Sequence, residues 1–248
     1  MTGMQGPRVM LVHSPLTGPS FFGGVGDALW QRGRRAYLAR LPAAEHIHPP
    51  YWLTHAAGVA NALPEEGNVV LVGHSGAGPL LPAIGKLAGN RGCEARVSGY
   101  LFMDCDLPRD GASRLDLFDQ PDAAAALRAR AERGWLRPWR DVDLAELLTD
   151  AAVRAAFVTE QPRTPLALYE EPIRVPDDWP EAPCGYLQLS AGYPTRGRET
   201  PRWGNPRRAA DSRRAPRASR PAHGWAPRRV PGEYAAARSR SQRAPPHR

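Results

Sequence analysis

The stretch that decides the fold is Val69-Val70-Leu71-Val72-Gly73-His74-Ser75-Gly76-Ala77-Gly78-Pro79-Leu80, VVLVGHSGAGPL. Four β-prone apolar residues run into a cluster of small ones, and then into a segment with helical spacing. A short apolar run of this kind reads as a strand buried on both faces of a parallel sheet. Three chemistries use a glycine-rich turn at the end of such a strand. A phosphate-binding loop needs G-x-x-x-x-G-K followed by Ser or Thr, and here Gly73 and Gly78 are followed by Pro79 and Leu80, so the lysine and the magnesium-binding hydroxyl are both missing. A dinucleotide fingerprint fails because Gly76 and Gly78 lack the third glycine. The third reading is a nucleophile elbow, in which a serine occupies a strained turn between strand and helix and its neighbours must be small. Gly73 and Ala77 flank Ser75 two residues to either side, and Ala77 departs from G-x-S-x-G by one methyl.

Working outward, Arg8 to His13, Arg35 to Leu41, Asn68 to Val72, Val97 to Asp104 and Gly185 to Ser190 read as strands. Val25 to Gly33, Tyr51 to Leu63 and Leu80 to Leu87 read as the helices between them. Strands alternating with helices at this repeat predict a mostly parallel central sheet with helices on both faces, an α/β fold. Between residues 107 and 180 the pattern changes to short helical candidates at Asp122 to Glu132, Asp143 to Leu148, Ala151 to Thr159 and Pro165 to Glu171. They predict a helical lid over the C-terminal edge of the sheet, with Trp135, Trp139, Phe157 and Trp179 as either cleft wall or lid core. After Gly185 to Ser190 the sheet lacks a final strand and helix. Beyond Tyr193 there is no Leu, Ile, Phe or Met and a single Val, so no segment carries an apolar face to bury.

The chain therefore divides into an α/β domain over 1–193 and an Arg/Pro-rich tail over 194–248, which reads as disordered. The tail holds fifteen arginines, nine prolines and three acidic residues, about +12, against +8 for all 248 residues. The basic isoelectric point thus describes the tail. Its charge attracts phosphates without sequence preference, and no specific nucleic-acid partner is expected. Cys93, Cys105 and Cys184 have no metal-ligand spacing and read as reduced thiols, which favours a cytoplasmic setting. No run reaches the length of a transmembrane segment, no signal peptide is evident, and no metal or cofactor motif is present.

Taken together, VVLVGHSGAGPLLPAI, the preceding VMLVHSPLTG and the following GYLFMDCDLPRDG resemble the α/β-hydrolase superfamily, in particular its small actinobacterial-type members, over about residues 7 to 193. The resemblance implies hydrolysis of an ester, thioester or amide of a small-molecule acyl substrate, with Ser75 as nucleophile. Gly76 is the natural first oxyanion donor. Pro15 has no N–H, so the second falls to Ser14 or Leu16, of which Leu16 is favoured, with the Ser14 and Thr17 hydroxyls behind it. His74 is expected to line the elbow and His13 to hydrogen-bond near the oxyanion loop; His46, His48 and His55 precede the elbow.

The order Ser, acid, His places the usual acid after Gly185 to Ser190, where Ala191, Gly192, Tyr193 and Pro194 stand instead. Asp104, at the end of the preceding strand, is the candidate acid, with Asp106 as the alternative; Asp110 and Asp116 read as turn residues. Only His223 and His247 follow Ser75, both in the tail, and His223 is the candidate base. One lysine, Lys86, against thirty-two arginines indicates a GC-rich gene. A frameshift near Tyr193 to Arg198 accounts for the missing strand, histidine and terminal helix together. The rival readings are a catalytically inactive hydrolase-like protein and non-specific nucleic-acid binding by the tail.

Overall fold

A computed structural model describes residues 6–118, 121–146 and 148–189. In chain order its first half runs β1 (Arg8–Val12), α1 (Gly23–Gln31), β2 (Ala36–Leu38), α2 (Tyr51–Asn61), β3 (Asn68–His74), α3 (Leu81–Gly89) and β4 (Arg96–Met103). Then come α4 (Pro121–Ala129), β5 (Ala131–Glu132), β6 (Trp135–Leu136), α5 (Asp141–Leu144), α6 (Ala151–Glu160), β7 (Thr164–Pro165), α7 (Ala167–Glu170) and β8 (Cys184–Leu187). Five strands pair in parallel in the order β2-β1-β3-β4-β8, so β3 and the residue that follows it lie at the centre of the sheet edge.

The period of two along each strand sorts side chains onto two faces. Met10, Val12, Val69, Leu71, Tyr100 and Phe102 face one way and bury against Ala56, Val59 and Ala60 of α2 and Ala83, Ile84 and Ala88 of α3. Leu11, Val72 and Met103 face the other, against Phe22 and the partly buried Leu29 of α1. Each fully buried Leu, Ile or Phe contributes roughly 1.5–3 kcal/mol, and the first face carries most of that burial. Leu187 and Leu189, at the β8 edge, remain exposed.

The segment expected to be a helical lid contains all four helices, α4 to α7, at or near the expected places. It also holds a three-stranded antiparallel sheet, β5-β6-β7, which the pattern did not predict. Its strands are two residues long, too short to show alternation. The lid is fastened to the sheet domain at the start of α2, whose first turn has no side-chain cap of its own. Glu171 accepts hydrogen bonds from the Tyr51 and Trp52 N–H groups at 2.8 and 2.6 Å, placing a carboxylate on donors that a helix start leaves unpaired.

The three cysteines are unbridged. Among the described residues no helix is long and apolar enough to cross a membrane, and no cluster of three or more His, Cys, Asp or Glu side chains could hold a metal ion. Residues 190–248, including the Arg/Pro-rich tail, lie outside the described residues.

The turn after β3 is packed to backbone contact. A Cβ on Gly78 would lie 2.6 Å from the Asp106 carbonyl oxygen and 2.6 Å from Cys105 Sγ. Gly78→Ala is therefore expected to destabilise the fold by about 1–3 kcal/mol, the usual cost of overpacking, read as a lower urea midpoint at unchanged slope; an unchanged midpoint contradicts this packing.

Candidate active site

β3 ends at His74, and Ser75 opens a 3₁₀ turn that runs to Leu80 before α3 begins. Ser75 has φ 52°, in the left-handed region that non-glycine residues rarely occupy. Its N–H donates to the Asp104 carbonyl at 3.2 Å. The side chain is buried, and Oγ has no hydrogen-bond partner among the described residues. Gly73 and Ala77 are buried beside it, and a Cβ on Gly73 would meet Leu81 Cγ at 3.0 Å. These close approaches are why the turn is written in small residues.

Asp104 also has a positive φ, 40°, and knots the ends of three strands together. Its carbonyl accepts from Ser75, its N–H donates to the Leu187 carbonyl at 3.0 Å, and its Oδ1 accepts the Leu189 N–H at 2.7 Å. Asp106 is buried nearby. Asp116 accepts from the N–H and hydroxyl of Ser113, a local turn contact, whereas Asp110, expected to be a turn residue, makes long-range contacts, accepting the Val175 N–H and pairing with Arg174.

The imidazole of His74 stacks on Phe21, with ring centroids 4.3 Å apart, and meets Phe22 edge-on at 6.2 Å. Burial pushes its pKa down to about 3, so the ring is neutral and serves as packing behind the elbow. On the loop after β1, His13 Nδ1 lies 2.8 Å from the Ser14 carbonyl. A carbonyl only accepts, so Nδ1 carries the hydrogen and the buried Nε2 is a bare acceptor without a partner among the described residues. His55 repeats this arrangement, its Nε2 donating to the Pro42 carbonyl at 2.9 Å. Both histidines line a cavity of about 240 Å³ with Thr17, Arg40 and Glu160.

The donors of the loop after β1, where the second oxyanion donor was expected, are largely committed. The Leu16 N–H donates to Ser14 Oγ at 3.2 Å and the Thr17 N–H to the Ser14 carbonyl at 3.0 Å. His223 and His247 lie outside the described residues, so the structure leaves the position of the expected base open.

Two residues at the site carried no signal in the sequence. Arg114, only 1% exposed, donates from Nε to the Gly76 carbonyl at 2.9 Å and from Nη1 to the Leu168 carbonyl at 2.8 Å. Its guanidinium lies 5.7 Å from the centre of the Tyr169 ring. Tyr169, fully buried on α7, brings its hydroxyl over Gly76, where a Cβ would lie 2.9 Å from it. The lid aromatics serve mainly as packing. Trp139 meets Phe157 at 6.2 Å, Arg130 and Arg163 cover Trp139 and Trp135, and Trp179 packs on Tyr100 and Phe102 of the sheet.

No family model and no curated protein sequence matches the chain. Solved structures do. An extracellular α/β-hydrolase from a Paenibacillus species, described as sharing structural and functional homology with tobacco salicylic acid binding protein 2, aligns with TM-score 0.60 at 16% identity, over 74% of this chain and 78% of that one. A pyrethroid hydrolase from Sphingobium faniae aligns with TM-score 0.57 at 19% identity, over 73% and 76%. A variant of tomato methylketone synthase I aligns with TM-score 0.56 at 15% identity, over 75% and 80%. The architecture is that of the α/β-hydrolase fold, and these relatives carry more than one chemistry on it.

The buried imidazoles make stability depend on pH. Burial lowers the pKa of His13, of His55 to about 4 and of His74 to about 3. Between the ordinary histidine value near 6.5 and these lowered values the unfolded chain takes up protons that the folded chain refuses, so stability falls as pH drops through that window. For His55 alone the loss is on the order of 3 kcal/mol. Urea unfolding at pH 7 and pH 4.5 should show the lower midpoint at pH 4.5, with a shallower difference in His55→Gln; equal midpoints contradict the burial of neutral rings.

Proposed function

We propose that the protein is a serine-dependent hydrolase of the small actinobacterial α/β-fold type, cleaving an ester, thioester or amide of a small-molecule acyl substrate through an acyl-enzyme. The observation that carries this reading is Ser75 itself: a serine at φ 52° on the central strand's end, its Oγ buried and without a partner among the described residues. Holding a side chain there costs of order 1–3 kcal/mol, a cost that a plain turn avoids with glycine. Relatives of the same fold that are named hydrolases support the reaction class.

In this mechanism Oγ attacks the acyl carbon, and the carbonyl electron pair moves onto oxygen, where the Gly76 N–H stabilises it. His223 takes the serine proton and returns it to the departing alcohol, thiol or amine. Asp104 orients that imidazole through Oδ2, since Oδ1 is held by the Leu189 N–H. Water then attacks the acyl-enzyme by the same route. Leu16 acts as a second donor only by leaving Ser14 Oγ.

The second reading, a non-catalytic hydrolase-like protein, draws on the same unpartnered Oγ, which has no base against it among the described residues. A fluorophosphonate probe separates the two. The hydrolase reading predicts one adduct per chain, absent in Ser75→Ala and slowed roughly 10⁴-fold in Asp104→Asn and in His223→Ala. A folded wild-type protein that takes no label identifies the non-catalytic reading, and normal labelling of His223→Ala removes that residue as base.

A further inference from the structure

The loop after β1, the segment between β2 and α2 and the end of α6 surround a cavity of about 240 Å³ that Ser75 does not line. Its wall is largely apolar, with Pro15, Pro19, Leu41, Pro42 and Pro162 in it. Two imidazoles stand in that wall, His13 at 4% exposure and His55 at 2%. Each ring spends its one hydrogen on a main-chain carbonyl, His13 through Nδ1 on Ser14 and His55 through Nε2 on Pro42. His13 Nε2 and His55 Nδ1 are therefore buried lone pairs with no hydrogen-bond partner among the described residues. A buried acceptor left unmade costs free energy, so two in one cavity wall call for hydrogens from an occupant.

The other polar groups of the wall are mostly acceptors as well. Thr17 Oγ1 gives its hydrogen to the Ser14 carbonyl at 3.2 Å and keeps its lone pairs, and Glu160 is a carboxylate whose Oε2 takes the Ser20 N–H at 2.8 Å. Arg40 brings donors, and it is exposed. We infer that the cavity binds a small uncharged polyol, its hydroxyl hydrogens donated to His13 Nε2 and His55 Nδ1 and its carbon skeleton laid against the prolines. Two bare acceptors take two hydrogens, which a single alcohol hydroxyl does not supply. The volume corresponds to about eight water-sized groups, the size of a four-carbon tetrol.

Other occupants fit the wall less well. An anion meets lone pairs and a carboxylate. A cation meets burial, the largest influence against positive charge on both rings; Arg114 adds to it at His55, and at His13 Arg40 is set against Glu160. A metal ion would use the same lone pairs, but no group of three or more His, Cys, Asp or Glu among the described residues could hold one. The site needs no part of Ser75, so it stands whether or not the protein is a hydrolase.

The test titrates the full chain with erythritol at pH 7 and follows the imidazole nitrogens in long-range proton–nitrogen correlation spectra, with the exposed His46 and His48 as references. His13 Nε2 and His55 Nδ1 are expected to move together in the direction of an accepted hydrogen bond, saturating in the millimolar range, while the reference rings stay in place. Ethylene glycol dimethyl ether, which has oxygens but no hydroxyl hydrogen, and the dication of putrescine are expected to leave both nitrogens unmoved. His55→Leu should weaken erythritol binding, read at His13, by roughly tenfold, the worth of one hydrogen bond, and Ser75→Ala should leave it unchanged. Nitrogens that do not move, or that drift without saturating, show a cavity holding water only and overturn the inference. An equal response to the ether, or tighter binding of putrescine, overturns it too, and these two ligands decide the matter on the wild-type chain even if His55→Leu fails to fold.

Discussion

A single buried guanidinium ties the elbow to the lid. Arg114 is 1% exposed and is held by the carbonyls of Gly76 and Leu168, with the Tyr169 ring at its side. Leaving a buried charge without its acceptors costs several kcal/mol, so these three groups cannot drift apart independently. The cation also reaches further. Its field adds to burial in pushing His55 down to about 4, and it opposes the burial that raises Glu171, the carboxylate seated on the start of α2. One side chain thereby couples the turn after β3, the lid helix, a neutral histidine and a helix cap.

Strain at the elbow is held in place by the strands around it. Ser75 and Asp104 both occupy left-handed backbone conformations, and the carbonyl of the second accepts the N–H of the first. Asp104 is in turn bonded twice to the residues at and after the end of β8. The central strands thus clamp one another at the sheet edge that carries Ser75. The clamp works because Gly73, Ala77 and Gly78 let strand, turn and loop approach to contact distances.

The parallel sheet and the tight turn after β3 were legible in the sequence because local rules decide them. Runs such as Val69 to Val72 bury both faces, and a serine among glycines after such a run has few physical explanations. The lid's small sheet was not legible, since two-residue strands carry no period. Nor were Arg114 and Tyr169. Each meets Gly76 from a distant part of the chain, and neither an arginine in SRLDL, bonded to a carbonyl 38 residues away, nor a tyrosine in ALYEE has a local pattern that announces the contact. The commitment of the Leu16 N–H to Ser14 Oγ two residues back is a matter of one loop's conformation, which a residue pattern does not specify. The arginine-rich tail was marked by composition alone, and His223 within it lies outside the described residues.

A crystal structure of the protein after reaction with a fluorophosphonate tests the central claim most directly. The account predicts phosphorus bonded to Ser75 Oγ, with its non-bridging oxygen within about 3 Å of the Gly76 nitrogen. An adduct on any other residue, or an oxygen turned away from Gly76 toward solvent, would contradict it.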